Sequence, residues 1–119
     1  MVKLDLKYGL PFCKITLIYK GKSMKLGNVL IDTGSVGTIL KMDRVEKDDT
    51  IETISGVGGI EFVYKKNIDG IKLGNLVISN FIIEVGAMDY GFEINGIIGM
   101  NFLREAGAII NLGKMAIYD

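Results

Sequence analysis

Val29-Leu30-Ile31-Asp32-Thr33-Gly34-Ser35 decides how this chain reads: branched aliphatic residues of a strand run straight into an acid, followed by two hydroxyl residues around a glycine. An acid at the end of a buried strand carries a large desolvation cost unless hydrogen bonds or partners offset it. The compensation is encoded next door. Gly34 lets a backbone N–H come close to the carboxylate, and the Thr33 and Ser35 hydroxyls supply local donors. Read by itself, Asp-Thr-Gly serves equally well as a turn in which Asp32 caps its own backbone.

Outward from this stretch, short segments rich in Ile, Val, Leu, Phe and Tyr recur between glycine-bearing turns, and 16 glycines against one proline give many permissive corners. A mostly β chain is expected. Hairpins are predicted around Lys20-Gly21-Lys22, around Gly74-Asn75 and around Gly113. The best helix candidate is 101–106, with Gly107 as its stop. Lys-Leu-Gly-Asn occurs at 25–28 and again at 72–75, but the match does not extend, so it is weak evidence for a repeat. The mixed-charge run 43–49 reads as a solvated loop.

Composition narrows the chemistry. The 119 residues suit a single domain spanning 1–119, and 49% hydrophobic with 24% charged residues is a globular balance. Fourteen basic residues offset fourteen acidic ones, so no net field draws the chain to nucleic acid or an anionic membrane. With no histidine and one cysteine, Cys13, there is no basis for a disulfide framework, a zinc site or an imidazole triad. Cys13 reads as a small buried hydrophobe. No metal or cofactor is expected. No run has the length of a signal peptide core or membrane span, so a cytoplasmic protein is the default expectation.

A second motif changes the weight of the first: Asn95-Gly96-Ile97-Ile98-Gly99-Met100-Asn101-Phe102-Leu103, two apolar residues and a glycine leading into the candidate helix. Between the two motifs lies Ile54-Ser55-Gly56-Val57-Gly58-Gly59-Ile60, a glycine-rich tip flanked by strand-like segments. Together these resemble the retropepsin-like aspartic proteases, in the cellular and prokaryotic single-domain form, over nearly the whole chain.

The resemblance implies a closed acid-protease-like β-barrel with one short helix in a single lobe. Asp32 would be the catalytic acid or base, with Thr33 bracing two loops across a dimer axis, Gly34 allowing close approach and Ser35 bonding the carboxylate from outside. Gly56, Val57, Gly58 and Gly59 would form a flap over an extended peptide or protein substrate. Leu30, Ile39 and Ile97 would line apolar subsites, and Ile97, Ile98, Gly99 and Asn101 would form the structural motif beneath the site. The chemistry needs two carboxylates sharing one proton, and this chain carries one Asp-Thr-Gly. A homodimer therefore belongs to the implied mechanism, with activity highest below neutral pH.

Two departures from retroviral members stand out. Val36 and Met100 occupy positions where those enzymes carry an acid and an arginine, and the apolar pair is expected to pack by side-chain contact. The stretch 108–119 is expected to form a hairpin of its own rather than to interdigitate with a partner's terminus. The alternative from another class is a weakly catalytic or non-catalytic dimerisation or peptide-binding module on the same fold.

Overall fold

The computed structural model describes residues 1–41, 52–55, 62–86 and 92–119. In chain order the elements are β1 (Val2–Lys3), β2 (Asp5–Lys7), β3 (Leu10–Tyr19), β4 (Lys22–Ile31), β5 (Ile39–Lys41), β6 (Glu52–Ser55), β7 (Phe62–Leu73), β8 (Leu76–Gly86), β9 (Gly96–Ile98), α1 (Met100–Ala106), β10 (Ile109–Asn111) and β11 (Ala116–Tyr118). The protein is mostly β, with one short helix and a closed six-stranded barrel. Strands run in the order β3-β4-β9-β5-β8-β7, and pairing of β3 with β7 closes the ring. Closure leaves few strand edges: β2 flanks β3, and β6 flanks β7.

Turn chemistry sets the registers. Lys20 and Gly21 take positive φ values of 50° and 76°, and Tyr19 pairs with Lys22, which gives a two-residue hairpin whose twist matches the flanking strands. Leu73 pairs with Leu76 across Gly74-Asn75, with Gly74 at φ 60°. Both hairpins fall where the sequence puts them. The third is looser, since β10 and β11 pair antiparallel but are separated by residues 112–115.

Period-2 alternation then sorts the side chains. Val29 and Ile31 point into the main core with Leu17, Ile71, Ile83, Ile98 and Phe102, while Leu30 faces the opposite way. Cys13 is buried in the same core, as a small hydrophobe should be. Helix α1 covers one end of it through Phe102 and Leu103, and Phe81 meets Phe102 edge to face. Gly107 ends the helix in the left-handed conformation at φ 68°, its N–H donating to Arg104 O, and Ala108 N donates to Leu103 O.

The terminal hairpin is self-contained. β1 pairs with β11, and β11 with β10, so the first strand is satisfied within its own chain. Among the described residues, no helix is long and apolar enough to cross a membrane. The charged run 43–49 and the glycine-rich tip, Gly56, Val57, Gly58 and Gly59, lie outside the described residues. The strands on either side of that tip pair antiparallel, with Ser55 opposite Phe62.

Candidate active site

The short strand β9 is the key to the site. It lies between β4 and β5, parallel to the first and antiparallel to the second, so the loop joining β4 to β5 must arch over its end. Asp32 sits at the start of that arch. Its backbone N–H donates to Ile98 O at 3.0 Å, which extends the β4–β9 ladder by one bond and pins the residue where the strand stops. The Asp32 side chain is half-buried there, one residue beyond the core residue Ile31.

The Gly34 N–H donates to Asp32 Oδ1 at 2.9 Å. A Cβ at Gly34 would lie 3.1 Å from that same oxygen, so glycine is favoured by proximity to the carboxylate and not by a left-handed backbone. Thr33 is exposed. It stands at one end of an open groove of about 440 Å³ that continues along Met100, Leu103, Arg104 and Ile110. The Ser35 hydroxyl does not reach the carboxylate within one chain. It donates to Gly37 O at 2.8 Å, because its own backbone N–H turns back to Asp32 O and directs the side chain down the loop.

The second motif holds the arch from below. Met100 N donates to Ser35 O at 2.7 Å and Asn101 N to Val36 O at 3.0 Å, so the first turn of α1 is bonded to the loop through backbone. Gly99 has no room for a side chain: a Cβ there would fall 2.0 Å from Gly37 O and 2.8 Å from Ser35 O. The expected packing of Val36 on Met100 is not what joins the two segments. Val36 is 85% exposed, and both side chains border an open groove of about 400 Å³ with Arg104 and Glu105. Backbone hydrogen bonds take the joining role that side-chain packing was expected to fill.

Leu30, Ile39 and Ile97 come together. They form a second apolar cluster with Phe12, Ile94 and Phe92 on the opposite face of the barrel wall from the main core. The register explains it, since Phe12 pairs with Leu30, Leu30 with Ile97, and Ile97 with Ile39. An apolar floor therefore runs across four strands. Tyr8 stacks on Phe92 at 4.6 Å between ring centroids, and Phe12 meets both edge-on.

Several contributors were not read from the sequence. Thr38, fully buried, donates to Asn101 Oδ1 at 2.7 Å and accepts from Gly99 N at 3.2 Å, while Asn101 Oδ1 also accepts from Phe102 N. Asn95, also buried, donates through Nδ2 to Gly27 O at 2.8 Å and exchanges backbone bonds with Asn28 and Lys41. The aromatic pair Tyr8 and Phe92 was missed as well. Only Phe12, an aromatic in a strand-like run ahead of the first hairpin, offered a signal.

Among the described residues, no group of three or more acidic, cysteine or histidine side chains is placed to hold a metal ion. A scan against models of known protein families and a search of curated proteins both return no match.

Proposed function

We propose that this chain is one subunit of an aspartic endopeptidase that cleaves extended peptide segments as a homodimer. The observation that carries the proposal is the setting of Asp32: a half-buried carboxylate just past the end of β4, braced by the Gly34 N–H, next in the chain to a sheet face on which Leu30, Ile97 and Ile39 cluster. Such a carboxylate activates water only if a second group holds the complementary proton state. One chain supplies one Asp-Thr-Gly, so the second carboxylate is assigned to Asp32 of a second copy across a twofold axis. The exposed Thr33 and the open groove beside it support this, because they leave the loop accessible to that copy.

In the proposed reaction one Asp32 removes a proton from water while the other, protonated, donates to the carbonyl oxygen of the scissile bond. The water oxygen bonds to the carbonyl carbon and forms a tetrahedral diol. Collapse of the diol then breaks the C–N bond as the leaving nitrogen takes a proton. The peptide lies as an added strand over the apolar floor. The proposal extends to a reducing cytoplasmic setting, where a single buried thiol needs no partner.

The test is incubation of the purified protein with an unfolded protein mixture, with cleavage sites read by mass spectrometry. Cleavage is expected, with inhibition by a statine-type transition-state mimic and loss in Asp32→Asn. Absence of cleavage by a folded dimer would remove the protease reading and leave a peptide-binding module.

A further inference from the structure

We propose that Glu84 selects a basic side chain in the bound peptide, on both sides of the cut bond; the inference rests on the peptide-binding face described above. The row of register partners that makes the apolar floor does not stop at β5. Ile39 pairs with Glu84 on β8, and Glu84 with Lys65 on β7. Residues directly opposite one another share a face of the sheet, so the Glu84 side chain leaves the barrel wall on the side of Leu30, Ile97 and Ile39. The row thus changes from apolar to charged at one strand boundary, with Glu84 on β8 followed by Lys65 on β7.

Glu84 is also tied to the arch that carries Asp32. Its backbone N–H donates to Thr38 O at 2.8 Å, and its carboxylate atoms lie 3.2–3.3 Å from where a Cβ of Gly37 would be. A side chain at Gly37 would press on the carboxylate, so glycine leaves it room beside the loop. Glu84 is half-buried. Lys65, its cross-strand neighbour, is exposed. A half-buried carboxylate at the rim of an apolar floor gains most from a cation that arrives with a ligand and shields both groups from water.

Spacing gives the position of that cation. Strands stand about 4.8 Å apart, so the three steps from β4 to β8 cover about 14 Å, and an extended peptide advances about 3.3 Å per residue. Allowing for the reach of a glutamate and a lysine, Glu84 meets a side chain two to four residues from the bond above Asp32. A twofold dimer brings two copies of Glu84, one for each half of the peptide. The substrate class is therefore an extended segment with apolar residues at its centre and Lys or Arg on both flanks.

The experiment separates this from the chemistry by measuring binding to a protein that cannot cut. Asp32→Asn protein is titrated with alanine-rich decapeptides carrying Phe-Leu at the centre and a symmetric pair of lysines scanned outward. Each has a twin in which norleucine replaces lysine, which keeps the length and removes the charge. One lysine position is expected to bind about tenfold tighter than its twin, about threefold for each Glu84, in the range of partly exposed ion pairs. The preference should vanish in Asp32→Asn/Glu84→Gln and reverse towards glutamate peptides in Asp32→Asn/Glu84→Lys. Equal binding of lysine and norleucine twins at every position, or a lysine preference that survives Glu84→Gln, would overturn the role of Glu84. Cleavage by the wild type is scored apart, so loss of the protease reading and loss of this one are told apart.

Discussion

Thr38 and Asn101, 63 residues apart, are joined by a hydrogen bond of 2.7 Å in which the threonine hydroxyl donates to the amide oxygen. The same hydroxyl accepts from Gly99 N, so one buried oxygen ties the arch over β9 to the start of α1. Thr38→Val keeps the shape and removes both bonds, leaving the Gly99 N–H buried without a partner. A loss of about 2–3 kcal/mol is expected, read as a lower urea midpoint with an unchanged slope. Thr38→Ser keeps the hydroxyl and should cost about 1 kcal/mol.

Gly99 and Gly27 should respond in opposite ways to a methyl group. At Gly99 the new atom meets backbone oxygens of Gly37 and Ser35, which no side-chain movement relieves. Gly99→Ala is expected to destabilise by more than about 3 kcal/mol and to abolish cleavage. At Gly27 only Lys14 Cγ lies within contact, at 3.9 Å, and the backbone is not left-handed. Gly27→Ala should leave the melting temperature unchanged or slightly raised.

Subunit mixing tests the proposed sharing of a carboxylate pair between two copies. Wild-type and Asp32→Asn chains combined at fixed total concentration and allowed to exchange should lose activity as the square of the wild-type fraction, because a heterodimer holds one Asp32. A linear fall after full exchange would mean that each Asp32 acts alone. The substitution itself should leave the fold intact, since Asn still accepts from the Gly34 N–H, and in the proposed dimer it would remove a repulsion between like charges.

Cys13 makes stability depend on pH in the alkaline range. Burial, and secondarily the charge of Asp5, push its thiol up from an ordinary 9.0 to about 12. Below pH 9 both folded and unfolded chains keep the proton, and the full contribution is present. Between pH 9 and 12 the unfolded chain sheds the proton while the folded chain holds it, so stability falls by about 1.4 kcal/mol per pH unit from this group. Cys13→Ala has no thiol to titrate and lacks this dependence. The stability difference between wild type and Cys13→Ala, followed by urea unfolding from pH 8 to 10.5, should be flat up to about 9 and then move against the wild type. Iodoacetamide should label Cys13 only when the protein unfolds.

The tetrapeptide Lys-Leu-Gly-Asn shows what sequence alone determines here and where tertiary structure takes over. At 72–75 it makes a hairpin turn with Gly74 at φ 60°, while at 25–28 it runs within β4, and Asn28 rather than the glycine takes a positive φ of 53°. The copy at 25–28 is held in the sheet by partners from far away: β3 pairs with Lys25 and Leu26 before the register shifts, and Asn95 donates to Gly27 O. Features that depend on adjacent residues were legible, among them the first two hairpins, the Gly107 helix stop, the burial of Cys13 and the approach of Gly34 to Asp32. The resemblance named Leu30, Ile39 and Ile97 together, and the register of β4, β9 and β5 is what makes them one surface. The turn of Ser35 towards Gly37, the exposure of Val36, the Thr38–Asn101 bond and the place of Glu84 beside Gly37 were not legible. The first two are set by how the loop's backbone bonds to Asp32 O and to the first turn of α1. The last two follow from segments distant in the chain being brought together, where one step of register moves every side chain to the other face, and no local pattern of residues records which strand will lie alongside.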